Sequence, residues 1–370
     1  MNKKTVFAFL APFFFLFLAR ALPAEPLYSS TWGFRIDLPE GYEYVEGNSR
    51  DRYSFEGPED AKFDIAVYNG TYGGVEQMAA DINRRIGNTG ETEFFKYGNK
   101  AAVIMELNFR GFAGWGLCVE LTGNAMLVAL AYGPAKTTEM DLFHLSALDS
   151  IAPSETENRK PGPITEYAYP RGRRQETAVA GTGLKTVLGE NDAEAAQSLV
   201  DREFALLYRY SISPNWQEAW IRFYRAIYRD SWDRIADAVF KLERNFNAGA
   251  DKRAFAEKAL AWVQGFQYER NPEGSDFVNL VTALTEGKGD CDSRAMLWAM
   301  ILKQANIPSA MMVSQRHSHA MGLADIEGGG ARFEAGGVKW LVAETTVKVS
   351  VGLIDSAISD IESWLAVLFE

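Results

Sequence analysis

Gly287-Lys288-Gly289-Asp290-Cys291-Asp292-Ser293-Arg294 is the stretch from which the C-terminal fold can be read. Its glycines supply a turn, and Asp290 has the side chain of a helix N-cap. After Cys291, the residues Ala295, Trp298, Ile301, Leu302 and Ala305 recur at helical spacing, and Asn306-Ile307-Pro308 stops the run. The spacing predicts a helix with Cys291 in its first turn. Unpaired amides and the helix dipole favour an anion there, so the thiol pKa is expected to fall from about 8.5 toward 7 or below.

Downstream, Ser309 to Ser314 reads as a strand and Gln315-Arg316-His317-Ser318 as a connection. His319-Ala320-Met321-Gly322-Leu323 begins a second strand, Gly328-Gly329-Gly330 makes a turn, and Val338 to Thr346 forms a third strand with Glu344 near its end. An antiparallel meander would bring His319 and Glu344 onto neighbouring strands facing the helix start. Nucleophilic catalysis needs that set: a thiol, an imidazole to take its proton, and an acceptor for the imidazole's other nitrogen. Cys291 is the candidate nucleophile, His319 the base and Glu344 the orienting acid. Truncating Cys291 should cost little stability, because a helix end beside a cleft is not core. The Cys291 amide would donate to an oxyanion, with Gln264, Gln267 and Tyr268 as candidates for a second donor. His317 and His319, alternating on one strand, would make a zinc site with Cys291 and Glu344. No CxxC or HExxH spacing supports that reading, so no metal and no cofactor is expected. His317 is instead expected to be solvated or to support the site from behind.

Gly-Asp-Cys at a helix head, His-Ala on a strand and acid-x-Thr closing the next resembles the transglutaminase-like superfamily, over roughly residues 250–350. Tyr268-Glu269-Arg270-Asn271-Pro272 and Thr285 fit the approach to that family's active site. The resemblance implies a papain-like α+β domain in which Cys291, His319 and Glu344 carry acyl transfer through a thioester. At Glu344 the chain departs from the family, which usually has Asp. The implied activity is a cysteine peptidase or amidase acting on a peptide or protein substrate, with transamidation left open. The reading from a different class is a non-catalytic envelope module that holds a peptide with the same fold.

Upstream, residues 26–153 read as an α+β unit. Phe34–Leu38 and Phe63–Tyr68 alternate as strands, Val75–Ile86 has helical spacing, Ala101–Phe109, Trp115–Thr122 and Ala125–Tyr132 follow as strands, and a helix runs from about Thr138 to Ser150. Cys118 and His144 fall in this unit and read as structural. Trp32-Gly33-Phe34-Arg35-Ile36-Asp37-Leu38-Pro39 and Leu148-Asp149-Ser150-Ile151 resemble the ends of PsbP/Mog1-like sandwiches, which implies an accessory module without chemistry of its own. Residues 154–181, with Pro161, Pro163, Pro170 and Arg171-Gly172-Arg173-Arg174, read as a solvated linker. Helices are expected from residue 182 to about 266, one capped by Asp192 and one by Ser231, leading into the cysteine domain that fills the rest of 182–370.

Lys3 and Lys4, the apolar run Val6–Leu18 and the small residues Ala19, Ala21 and Ala24 read as a secretory signal over 1–24. An uncleaved anchor is the alternative. The expected location is outside the cytoplasm, periplasmic or extracellular, with no membrane span after signal removal. A formal net charge of −11 would repel nucleic acid and anionic headgroups, so neither is expected as a partner. Composition and spacing set no oligomeric state.

Overall fold

The computed structural model describes residues 26–48, 50–134, 137–247, 251–270 and 274–369. The signal-like segment 1–24, Asn271 and Pro272 lie outside the described residues. Among those described, no helix is long and apolar enough to cross a membrane.

The chain is α+β. Its N-terminal half is built on a seven-stranded antiparallel sheet in the order Glu43–Gly47, Arg52–Glu56, Lys62–Asn69, Ala125–Gly133, Phe112–Glu120, Lys100–Phe109, Thr92–Tyr97. Lys100–Phe109 shows why its sequence is nearly all apolar. Ala102 and Ile104 point to one core with Phe63, Leu117, Leu127 and Leu148 of the helix Thr138–Asp149. Val103 and Met105 point to the other, with Cys118 and with Met78 and Ile82 of the helix Val75–Ile86. A strand covered on both faces cannot alternate apolar with polar.

Two expectations about this half need correction. The strand expected at Phe34–Leu38 is only Arg35–Ile36, paired with Leu27–Tyr28 outside the main sheet. The edge strands Glu43–Gly47 and Thr92–Tyr97, and Arg52–Glu56 next to the first, went unforeseen, because strands this open to solvent carry little apolar signal.

Nor is 154–181 a solvated spacer. Pro161 and Pro163 are buried, Pro163–Ala168 is helical, and Arg174–Ala178 pairs with Lys185–Gly189 in a hairpin. Asp149 accepts from the Thr165 amide (2.8 Å) and hydroxyl (2.6 Å), which pins the stretch to the preceding helix. The two halves also share a buried ionic network. Arg222 donates to Glu203 (2.7 Å), to Ser146 (2.7 Å) and to the Asp37 carbonyl (2.8 Å), while Arg202 bridges Asp149 and Glu203. Deleting one member would strand a buried charge, at a cost of about 3–5 kcal/mol.

The helices Asp192–Arg209, Trp216–Arg234, Ala236–Phe246 and Lys252–Val263 lead into the C-terminal half. Ser231 lies inside the second of these and caps nothing. Asp192 is buried at the start of the first and binds the Gly189 amide and Arg234. The C-terminal sheet has the order Arg332–Ala335, Val338–Ala343, His319–Ala324, Ser309–Ser314, Leu365–Leu368, all antiparallel. The helix Cys291–Gln304 lies across one face. Its Trp298 is fully buried and sits on Gly322, where a Cβ would come within 2.4 Å of the indole. Only glycine permits that approach, and it sets the strand carrying His319 close against the helix carrying Cys291. Overpacking there would cost about 1–3 kcal/mol.

Candidate active site

The helix Leu280–Glu286 ends at Gly287, whose φ of +67° turns the chain back toward the next helix. Gln267–Tyr268 pairs in parallel with Lys288–Gly289. Asp290 then caps Cys291–Gln304 by accepting from the Ser293 amide at 2.8 Å. Arg294, only 2% exposed, fastens this entry by donating to the carbonyls of Gly289 (3.0 Å) and Phe266 (2.8 Å).

Cys291 is the first residue of the helix, but it is only 4% exposed and packs in the C-terminal core. The side chain does line a cleft, as expected, but it is also part of the core, so the expectation that truncating it costs little stability fails. Its thiol donates to Asp292 Oδ1 at 3.3 Å. Asp292 Oδ2 accepts from the Tyr224 hydroxyl at 2.6 Å, which in turn accepts from Trp220 Nε1 at 3.2 Å. This chain runs from one wall of the cleft to the sulfur.

The thiol pKa moves opposite to the sequence expectation. Burial pushes it up, the carboxylates of Asp292 and Asp290 push it further, and the Ala320 amide opposes them only in part. A helix N-terminus favours a thiolate only when no nearby anion competes. Burial also pushes the Asp292 carboxyl up from its ordinary value, against the hydrogen bonds from Tyr224 and Cys291.

His319 opens its strand opposite Ser314, and Glu344 stands one residue beyond Val338–Ala343. His319 Nε2 and Glu344 Oε2 are 2.7 Å apart. Glu344 Oε1 accepts from the Thr346 amide (2.7 Å) and hydroxyl (2.6 Å). Burial pushes the Glu344 carboxyl up, but the bonds from His319 and Thr346 outweigh it and hold the group below its ordinary value. With Nε2 committed to Glu344, Nδ1 is the nitrogen left to meet a thiol. Cys291 and His319 line one cleft of about 360 Å³, with Trp220, Tyr224 and Asp292 on the same lining. Trp364 places its ring against His319, centroids 6.2 Å apart.

The remaining expectations divide. Gln264 is not an oxyanion donor, because its Nε2 donates to the carbonyls of Glu344 (2.8 Å) and Val349 (2.9 Å). It holds the segment carrying the acid. Gln267 is exposed and absent from the cleft lining. Tyr268 lies beside the sulfur; burial and then the Cys291 charge push its hydroxyl up to about 12. His317 does not alternate with His319 on a strand. It precedes the strand, Ser318 between them has a φ of +45°, and His317 Nε2 faces Asp360 Oδ1 at 2.7 Å. The shared zinc geometry thus loses its premise. Asp290, Cys291 and Asp292 do bring ligand atoms within 4.8 Å of one another, but the two acids are already hydrogen-bonded to Ser293, Tyr224 and the thiol.

Tyr224, Asp292, Arg294 and Trp364 were not foreseen as site residues. Asp292 and Arg294 flank the cysteine in sequence, so proximity alone could have flagged them. Tyr224 and Trp364 come from distant segments with no local signal.

No known protein family matches the chain, and no curated protein matches it. Among solved structures, a solution structure of cyanobacterial PsbP from Synechocystis shares 9% identity at a TM-score of 0.29, covering 36% of this chain and 95% of that one. A crystal structure from Bacteroides thetaiotaomicron shares 12% identity at a TM-score of 0.22, covering 56% of this chain and 77% of that one. Likeness at these scores is weak, and the PsbP match concerns one segment.

Proposed function

We propose that this chain is a cysteine acyl-transfer enzyme of transglutaminase-like type, acting on an amide in a peptide or protein. The observation that carries the reading is a cleft lined by both Cys291 and His319, with the imidazole held by Glu344 at 2.7 Å. In the proposed reaction the thiol proton passes to His319 Nδ1 and the sulfur adds to the amide carbonyl. The Cys291 amide, in the first turn of its helix, donates to the oxyanion; one such donor is worth about 3 kcal/mol. His319 then protonates the leaving amine as the C–N bond breaks, leaving a thioester. Water attacks that thioester with His319 as base, releasing the acid; an amine in place of water gives a transamidated product. Glu344 keeps the proton on Nε2 and offsets the imidazolium charge. We favour hydrolysis, by a peptidase or amidase exported to the periplasm or the extracellular space.

A second reading, a non-catalytic module that holds a peptide, draws support from the thiol itself. It is buried, pushed up, and donates to Asp292. Iodoacetamide labelling of the native protein, located by mass spectrometry, separates the two. Cys291 should label with a pH midpoint that shifts in His319→Ala; an identical rate and midpoint in both proteins would favour the binding module. Export is tested by N-terminal sequencing of secreted protein, expected to begin near Leu22 or Glu25; an intact Met1 on cytoplasmic protein would refute it.

A further inference from the structure

A cavity of about 580 Å³, larger than the cleft at the thiol, opens where the N-terminal half meets the helix Trp216–Arg234. Its lining is cationic in a protein of net charge −11: Arg35, Arg159, Arg225 and Arg229 outnumber Asp37 and Glu155. Arg225 pairs with Asp37 at 2.7 Å. Arg229 donates to the carbonyls of Asp149, Ser150 and Ile151, neutral acceptors that do not cancel its charge. Arg159 lies over the Trp232 ring at 4.8 Å and is otherwise exposed. One wall is apolar, formed by Ala152 and by Tyr228 stacked on Phe369 at 4.2 Å.

Three residues of this lining carry a buried polar atom without a hydrogen-bond partner among the described residues: Asn158 Oδ1, Tyr228 OH and Arg229 Nε. A buried polar atom left unpaired is costly. Three around one cavity mark a place completed by something outside the chain. Two are donors suited to an anion and one is an acceptor. We propose that this cavity binds a small organic carboxylate with a flat apolar body and a neighbouring N–H or O–H. The carboxylate faces Arg229 and Arg159, the body lies along the Tyr228–Phe369 wall, and the donor reaches Asn158. This assignment is independent of the chemistry at Cys291.

The test uses the full chain and mandelate, which combines a carboxylate, a hydroxyl and an aromatic ring and contains no amide to be turned over. Calorimetry should give one saturable site per chain, and mandelate should raise Tm. Acetate, inorganic phosphate and benzylamine should each bind at least about tenfold more weakly. Arg159→Gln and Tyr228→Phe should each weaken mandelate about tenfold, the loss of one hydrogen bond to a charged group. Both variants should fold, since Arg159 is exposed and the phenyl ring keeps its stacking. Cys291→Ala should bind mandelate as the native protein does. Absence of saturable binding, equal binding of acetate or phosphate, or undiminished binding in both variants would each overturn the assignment.

Discussion

Cys118 and Cys291 are 0% and 4% exposed, and burial pushes both thiols up. What separates them is company. Around Cys118, in the middle of Phe112–Glu120, the packing is apolar and burial is the only influence on its proton. Around Cys291 stand two carboxylates, two tyrosines, an imidazole and a cleft. The same contrast runs through other titratable groups. His144 is buried in the N-terminal half with both ring nitrogens unpartnered among the described residues, and burial pulls it down to about 4. His319 is partnered and lines the cleft. Burial alone does not distinguish a structural group from a reactive one; a connected set of donors and acceptors does.

The sharpest way to break this comparison is to remove the reactive pair. On the proposed chemistry, Cys291→Ala and His319→Ala should each lower kcat by at least about 10⁵-fold, while Cys118→Ala leaves it unchanged. Equal activity in Cys291→Ala and native protein would end the acyl-transfer reading. Glu344→Gln should cost nearly as much, about 10⁴-fold in kcat, for a specific reason. The Thr346 amide and hydroxyl are donors and would take the new amide oxygen, turning its NH₂ toward His319 Nε2. That selects the tautomer with its proton on Nδ1, which cannot accept from the thiol. A pH–rate profile of the variant with a normal plateau would show that Glu344 sets no tautomer.

A smaller effect contrasts Glu40, a buried acid with one unpartnered oxygen among the described residues, with Glu344, both of whose oxygens are hydrogen-bonded. Glu40 is 3% exposed, its Oε1 has no partner among the described residues, and burial raises its pKa from 4.5 to about 7 in spite of Arg222. Its folded pKa lies above its unfolded one. The stability it contributes is therefore complete below pH 4.5 and is lost as pH rises through 7. The loss should approach about 3 kcal/mol by pH 8. Denaturant midpoints measured from pH 4.5 to 8 should fall in the native protein and flatten in Glu40→Gln; parallel curves would show that the carboxyl is solvated.

How much of this was legible in the sequence follows from where the information sits. Helical spacing from Ala295 to Ala305 and the stop at Pro308 place the helix within a residue, and Ser309–Ser314 has the expected bounds, because both elements are continuous buried runs between clear breaks. The juxtaposition of His319 and Glu344 follows from an antiparallel meander and needs no long-range information. Three kinds of feature stayed hidden. Edge strands such as Thr92–Tyr97 face solvent and lack a pattern. The 154–181 stretch has linker composition, yet Pro161 and Pro163 are packed and Asp149 binds Thr165; composition does not report a partner chosen by the tertiary fold. The sign of the Cys291 shift depends on how deeply the helix start is buried and on where the Asp292 carboxylate lies, neither of which spacing reveals.

That sign gives the smallest effect and the closest test of what distinguishes the two thiols. Burial acts on both, so only the carboxylates make Cys291 different in charge environment. Asp292 Oδ1 accepts the thiol proton at 3.3 Å, so its charge favours the neutral thiol and opposes thiolate formation. Asp292→Asn removes that charge and keeps an oxygen for the Tyr224 hydroxyl. The thiol pKa should fall by about one unit, which raises the thiolate fraction, and the iodoacetamide rate at neutral pH, about tenfold. Cys118 in the same protein should keep its slow rate, because no charge near it has changed. Turnover should move the other way: the same carboxylate lies near His319 and stabilises an imidazolium, so kcat falls even as alkylation speeds up. Opposite changes in labelling and turnover would assign Asp292 a positioning role between thiol and imidazole. A fall in both would mean that the side chain only supports the helix start, and a labelling rate equal to the native one would show that the carboxylate does not control the thiol.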